Sequence, residues 1–153
     1  MRDIQINLVS RDNWEEAMKI SVQPEHTRFV PSVTESLAYA YLKPWDEALD
    51  PFVLSIDDQI VGFFFLSYTP GSDDNYWIGG FQIDKKHQGQ GHGKRAMVSI
   101  LNFIKREHPN CKVVSLTVEP TNERAKRLYE TAGFVSENGR NQYGEIIYRN
   151  TNL

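Results

Sequence analysis

The sequence predicts a mixed β-sheet covered by helices, an α/β fold whose elements follow in the order βααβββαβαββ. Two observations carry this prediction. Short apolar runs bounded by turn residues indicate strands, and apolar residues that recur three and four positions apart indicate helices. Because three strands follow one another before the third helix, the order differs from a succession of simple βαβ units.

The N-terminal half predicts one strand, two helices and a group of three strands. Residues 4–8 alternate as a first strand, and Ser10 or Asp12 can cap the helix that follows. A second helix over about 34–42 is ended by Pro44. Residues 52–56 and 60–66 are typical of a hairpin, and 76–84 of the strand that leads into a glycine-rich loop.

The C-terminal half predicts two helices and three further strands. Met97, Ile100, Leu101 and Ile104 form an apolar stripe on a helix that ends before Pro109. The second of these helices begins near Asn122. Strands are predicted at about 113–118, 134–136 and 143–149.

Length and composition indicate a single domain over residues 1–153. A chain of 153 residues, 40% of them hydrophobic, can bury one core and is too short for two ordinary domains. It has no run of eighteen apolar residues and no apolar signal core at its start, so we expect a cytoplasmic protein that does not enter membranes. Cys111 is the only cysteine and lacks metal-ligand neighbours in sequence, so we expect neither a disulfide nor a metal site.

Charge is distributed unevenly along the chain. The net charge is −3, yet residues 1–84 hold fourteen acidic and five basic residues, and residues 85–153 hold six acidic and twelve basic ones. This asymmetry suits a polyanionic ligand on the C-terminal half and a cationic one on the N-terminal half. Nucleic-acid binding is not expected, because the basic cluster coincides with the glycine-rich loop.

The glycine-rich loop, residues 88–94, follows a predicted strand and opens a helix. Glycine allows positive φ angles and brings bare N–H groups close to a ligand, while the helix start adds partial positive charge. The loop therefore predicts an anion site, with His87 and His92 facing solvent beside the anion. Its spacing matches neither the dinucleotide fingerprint nor the Walker loop.

A second motif lies one helix and one strand further on, at residues 122–134. Its apolar residues recur at helical spacing, which predicts an amphipathic helix ended by Gly133, with Tyr129 on the buried face. Asn122 is placed to cap this helix.

Together the two motifs resemble those of the GNAT family of N-acetyltransferases. Gln88, Gly91 and Gly93 match the signature Q/R-x-x-G-x-G/A, and residues 122–134 match N-x-x-A-x-x-L-Y-x-x-x-G-F, in the family's order. The resemblance implies the GNAT fold, a mixed, mostly antiparallel twisted sheet flanked by helices, with acetyl-CoA as co-substrate. The residues that it assigns to acetyl-CoA are Phe81, Gln82, Ile83, Gln88, Gly89, Gln90, Gly91, His92, Gly93, Lys94, Asn122 and Lys126.

The same resemblance implies direct acetyl transfer in a ternary complex. The hydroxyl of Tyr129 is the expected acid for the departing thiolate, and backbone groups of residues 81–83 are expected to polarise the thioester carbonyl. An alkyl amine, with a pKa of about 10.4, must also lose a proton before it attacks. The strand before the loop offers no carboxylate, so the base stays open between Glu119, Asp73 or Asp74, and water.

The acceptor is expected to be a small cationic amine. Gln23, residues 29–30 and residues 36–38 resemble the diamine and polyamine acetyltransferase branch, in which this segment lines the acceptor site. Glu25 and Glu35 lie in or beside it, so a polyamine such as spermidine is the first candidate. The alternatives are an amino-group drug, a protein amine, or a non-catalytic acyl-CoA sensor. A homodimer is the assembly we consider.

Overall fold

The computed structural model describes residues 3–153, and its elements follow the predicted order, with two 3-10 turns added. The strands are β1 Gln5–Leu8, β2 Ala48–Ile56, β3 Gln59–Tyr68, β4 Tyr76–Ile83, β5 Val114–Val118, β6 Val135–Arg140 and β7 Ile146–Asn150. The helices are α1 Trp14–Met18, α2 Val33–Leu42, α3 His92–Glu107 and α4 Glu123–Thr131, and the 3-10 turns are Pro24–Phe29 and Lys85–His87. The predicted fold class is confirmed.

The seven strands form one sheet in the order β1-β2-β3-β4-β5-β7-β6. Neighbouring strands pair antiparallel except β4 and β5, which run parallel and share a single register pair, Trp77 with Ser115. Past this pair no ladder joins the two strands, so the sheet is open between their C-terminal ends. This opening positions the site described below.

Each face of the sheet has its own core. On one face α3 packs its predicted stripe, and Met97, Ile100 and Ile104 are fully buried. On the other face Ala17 of α1 and Val33 of α2 pack against side chains of β2 and β3. Full burial of one large aliphatic side chain contributes about 1.5–3 kcal/mol. The sheet in which β4 and β5 separate is therefore stabilised by a packed core on each of its faces.

A bulge interrupts β4 next to this opening. Phe63 pairs with Gln82, whereas Phe65 pairs with Gly79, so β4 carries one more residue than β3 between these pairs. Gly80 lies in the bulge with φ +62°, a conformation that suits glycine. The bulge turns the strand just before the glycine-rich loop.

One sequence-based detail, the cap of α1, was wrong. Neither Ser10 nor Asp12 caps α1: the N-cap residue is Asn13, whose side-chain oxygen accepts from the Ser10 backbone N–H at 2.8 Å. None of the helices in the described part of the chain is long and apolar enough to cross a membrane.

Candidate active site

A cavity of about 1090 Å³ lies where β4 and β5 separate. Residues 78–83 of β4 and 116–118 of β5 line it, together with the first residues of α3 and with Asn122 before α4. In α/β sheets, ligands bind beyond the carboxyl ends of strands, where helix N-termini add positive charge. The volume lies just above the range of roughly 300–1,000 Å³ for small-molecule sites. It suits a long ligand together with a second, smaller one.

The backbone of the glycine-rich loop faces open space. Gly89 and Gly91 have φ angles of +78° and +77°, and a Cβ built on either would meet nothing within 4 Å. Gly91 is the N-cap residue of α3. These two glycines are therefore required by the left-handed backbone and not by close packing. The open space in front of them leaves room for an anionic group.

Gly93 has a different environment from the other two glycines of the loop. Its backbone is part of α3, and an added Cβ would meet Leu128 Cδ1 of α4 at 3.4 Å, an ordinary contact distance. Gly93 thus lies at the contact between the two helices whose N-terminal ends border the cavity, and an alanine would fit there.

Side chains of the loop fix its shape. Gln88 Nε2 donates to the carbonyl oxygen of Ile83 at 3.0 Å, which ties the loop to the end of β4. His92 is only 8% exposed, with Nε2 3.2 Å from Gln90 Oε1 and Nδ1 3.4 Å from Arg95 Nη1. The expectation that His92 faces solvent was wrong, because its ring is packed between these two side chains. Lys94 lines the cavity, whereas Gln90 does not.

Asn122 and Lys126 lie at the start of α4. The Asn122 side chain caps the helix, accepting from Ala125 N at 3.3 Å, and it also lines the cavity. Lys126 pairs with Glu123 at 2.9 Å and is not part of the cavity lining. Contact of these two side chains with acetyl-CoA stays a prediction.

Tyr129 reaches the cavity from α4 while remaining 9% exposed. Its ring packs edge-on against Phe134, with centroids 6.0 Å apart. Burial raises the pKa of its hydroxyl above the ordinary value of 10. Within residues 3–153, no hydrogen bond involves this hydroxyl. Tyr129 therefore presents a protonated oxygen to the cavity at neutral pH.

Glu119 lines the cavity at the end of β5 but is held in a turn. Its Oε2 accepts from the Thr121 hydroxyl and from Thr121 N, the latter at 3.0 Å. The hydrogen bond from the Thr121 hydroxyl is the main cause that lowers the pKa of this carboxyl. A lower pKa makes Glu119 a weaker base. Of the other candidate bases, Asp73 and Asp74 do not line the cavity.

An aromatic wall of Tyr39, Trp45 and Phe65 borders the cavity on the α2 side. Trp45 and Phe65 are nearly parallel, with an interplanar angle of 13° and centroids 6.3 Å apart. Tyr39 meets Trp45 edge-on at 4.8 Å. Sequence reasoning missed this wall, because Phe65 lies in an apolar strand and Trp45 follows a helix end, with no motif to mark either.

Two carboxylates flank the aromatic wall. Glu35 accepts a hydrogen bond from the Tyr39 hydroxyl, which is the main cause that raises the Tyr39 pKa to about 12. Asp46, one of the acidic residues that the sequence places in or near the acceptor segments, accepts from Ser67 Oγ and from Asn75 Nδ2, each at 2.8 Å. Both carboxylates line the cavity, whereas Glu25, on the Pro24–Phe29 turn, does not.

Within residues 3–153, no three His, Cys, Asp or Glu side chains come together as a potential metal site.

The parallel strand pair that separates in front of a glycine-rich helix start agrees with the GNAT resemblance of the two sequence motifs. The chain belongs to the GNAT family, because the family described as "Acetyltransferase (GNAT) family" matches residues 14–134. It is an acetyl-CoA-dependent N-acetyltransferase. Acetyl-CoA supplies the thioester for this reaction. The site fits acetyl-CoA in two respects: the backbone of the glycine-rich loop faces open space, and the edge of β4 that faces the cavity is unpaired past Trp77.

Curated relatives are of similar length. The chain is 28% identical over 152 residues to "Uncharacterized N-acetyltransferase YbbJ" of Bacillus subtilis (strain 168), covering 95% of this chain and 92% of that protein. It is 27% identical over 140 residues to the "Spermine/spermidine N(1)-acetyltransferase" of the same strain, covering 86% and 87%. Among solved structures, the aminoglycoside acetyltransferase AAC(6')-Ib in complex with coenzyme A and kanamycin has a TM-score of 0.77 at 15% identity, covering 98% and 95%. At that identity the likeness shows the fold alone.

Proposed function

We propose that this enzyme acetylates a primary amine of a small cationic acceptor, with a di- or polyamine such as spermidine favoured. The observation that carries the proposal is the wall of Tyr39, Trp45 and Phe65 flanked by Glu35 and Asp46. A polyamine alternates methylene segments with ammonium groups. Aromatic faces attract cations by about 0.5–2 kcal/mol, and carboxylates form charge-assisted hydrogen bonds with them.

Two further facts support a cationic acceptor. Asp46 is held in place by Ser67 and Asn75, so its carboxylate loses little side-chain freedom when a cation binds. The sequence relative named for spermine and spermidine matches 86% of this chain. Both facts favour a polyamine over a neutral amine.

In the same proposal, the chain's backbone holds the donor. The N–H groups of residues 88–94 bind the pyrophosphate of acetyl-CoA, aided by the start of α3. Backbone groups of Phe81, Gln82 and Ile83 bind the pantetheine arm and polarise the thioester carbonyl. Asn122 contacts the donor from the start of α4.

The transfer itself is direct. The ammonium loses one proton to water, and the neutral nitrogen then forms a bond to the carbonyl carbon. As the carbon–sulfur bond breaks, the nitrogen releases a second proton to solvent, which leaves the neutral amide and balances the proton that Tyr129 regains after the transfer. The Tyr129 hydroxyl gives its proton to the leaving sulfur. Glu119 stays the alternative to water as proton acceptor, although its pKa is lowered.

Cys111 is unsuited to a covalent acetyl-enzyme. It is 6% exposed, its thiol donates to the Val113 carbonyl oxygen at 3.4 Å, and burial raises its pKa to about 11. A thiolate is the reactive form of cysteine, and at neutral pH almost none forms with such a pKa. This favours a ternary complex over a covalent intermediate.

The proposal is tested by measuring kcat/KM for spermidine, a monoamine of similar length and an aminoglycoside at low and high ionic strength. We expect spermidine to be preferred, and its kcat/KM to fall as salt screens the carboxylates. Equal use of the monoamine, with no salt dependence for either, contradicts the polyamine proposal. A preference for the aminoglycoside favours the amino-group drug alternative. Acetyl-CoA binding without turnover of any amine, protein amines included, favours a sensor.

A further inference from the structure

Gln82 is a buried polar side chain beside the bulge of β4, with 5% of its surface exposed. Its Nε2 donates to the carbonyl oxygen of Pro31 at 3.1 Å and to that of Gly80 at 3.0 Å. A side-chain amide has two N–H donors, and both are used by these carbonyls. Because both partners can only accept, the orientation of the amide is fixed, with Oε1 directed away from them.

The Oε1 atom of Gln82 has no protein partner. Within residues 3–153, no hydrogen bond uses it. In these residues, every side-chain N or O atom that is fully shielded from solvent has a hydrogen-bond partner. Because Oε1 has none, it is not fully shielded and keeps some contact with solvent. Gln82 lines the active-site cavity. The cavity is therefore the space that this oxygen meets, and a buried acceptor of this kind normally has a hydrogen-bond donor.

Gln82 lies where the donor side and the acceptor side of the cavity meet. Gly80, its first partner, belongs to the β4 bulge, and a Cβ there would meet Ser36 Oγ of α2 at 3.1 Å. Pro31, its second partner, lies just before α2, which carries Glu35 and Tyr39 of the acceptor side. An amine that approaches a thioester on β4 from the α2 side therefore passes this oxygen.

We propose that Gln82 Oε1 accepts a hydrogen bond from an N–H of the acceptor amine and thereby directs the amine's lone pair toward the thioester carbon. An amide oxygen does not take up a proton at neutral pH, so the amine's proton leaves to water, and Gln82 orients the nucleophile without acting as a base. This assignment rests on acetyl transfer to an amine, whichever amine that is. In this proposal β4 offers no carboxylate as a base, and Gln82 on this strand orients the nucleophile instead.

The first test replaces Gln82 by Met, which has a similar length and no hydrogen-bond donor or acceptor of comparable strength. We expect kcat/KM for the amine to fall about tenfold or more, as for the loss of one buried hydrogen bond. The Kd for acetyl-CoA and the slow release of CoA in the absence of amine should change much less than this, because the donor is held there by the backbone of residues 81–83 and not by the Gln82 side chain. The matched control is Gln59→Met, because Gln59 is exposed on β3.

A second variant, Gln82→Glu, keeps an oxygen at the position of Oε1. Its carboxyl can donate to one of the two carbonyls only while it is protonated, because an ionised carboxylate would face two acceptors. We therefore expect an added ionisation in the pH profile of kcat/KM for the amine that the wild type lacks. This comparison with the wild-type profile remains decisive if Gln82→Met does not fold.

Three results overturn the assignment. One is an amine kcat/KM for Gln82→Met within about twofold of the wild type. Another is a fall in acetyl-CoA affinity and in amine-independent CoA release of Gln82→Met that is as large as the fall in its kcat/KM for the amine. That result would indicate that the side chain only holds the bulge of β4. The third is a Gln82→Glu profile identical in shape to that of the wild type. If the wild type acetylates no amine at all, the proposed function fails and this assignment fails with it.

Discussion

The Phe65 ring lies against the backbone of Gly79, so closely that a Cβ on Gly79 would fall 2.2 Å from Phe65 Cζ. The two residues are also register partners in β3 and β4. On the acceptor side the same ring stacks on Trp45. The absence of a side chain at Gly79 thus sets the position of the aromatic wall relative to the β4 bulge.

Replacing Gly79 by Ala should therefore displace Phe65. We expect a loss of about 1–3 kcal/mol in the free energy of unfolding, the usual cost of overpacking a core, together with a higher KM for the amine. Denaturant unfolding and steady-state kinetics check this. Gly139→Ala is the matched control, because a Cβ there meets nothing within 4 Å. A Gly79→Ala protein as stable as the control would contradict the packing described.

Replacing Gly91 by Val should weaken acetyl-CoA binding, because the backbone there has a left-handed φ of +77° and faces the cavity. A β-branched residue strains that conformation and obstructs the approach of an anionic group. Gly71→Val is the matched control, since Gly71 has φ +81° and open surroundings and does not line this cavity. Calorimetry should find a higher Kd for Gly91→Val alone. Equal affinity in the two folded variants would remove the loop from the binding site.

Replacing Tyr129 by Phe should lower turnover by roughly 10²–10⁴-fold, the range for general-acid catalysis, while the Kd for acetyl-CoA stays nearly unchanged. Only the hydroxyl is lost, and the ring keeps its contact with Phe134. Steady-state kinetics and calorimetry on the same preparation check both quantities. Turnover within about twofold of the wild type would leave Tyr129 a packing role only.

The value of kcat/KM for the amine should rise with pH and should not fall again below about pH 10. The fraction of unprotonated amine grows toward its pKa of about 10.4, which raises kcat/KM. Burial raises the Tyr129 pKa above its ordinary value, so this acid keeps its proton over the same range. The measurement is kcat/KM for the amine from pH 6 to about pH 10, corrected for uncatalysed thioester hydrolysis. A falling limb centred near pH 8 would show that another group is the acid.

The sequence predicted those parts of the site that depend on local backbone and on periodicity. The left-handed glycines at 89 and 91 and the buried face of α4 with Tyr129 are of this kind. It did not predict parts that depend on distant chain segments. Trp45 and Phe65 come together only through the fold, and Gln82 acquires its orientation from the carbonyl of Pro31, fifty-one positions away. Such contacts have no signature in a single sequence.

Transfer of acetyl to a polyamine is tested most directly by competition. Equal concentrations of spermidine, a monoamine of similar length and kanamycin are mixed with the enzyme and limiting acetyl-CoA, and the products are identified by mass spectrometry. We predict that acetylspermidine forms first and takes most of the acetyl groups, because the cavity presents Glu35 and Asp46 beside the aromatic wall. Acetylation of the monoamine or of kanamycin ahead of spermidine, or no acetylated amine while acetyl-CoA still binds, would contradict it.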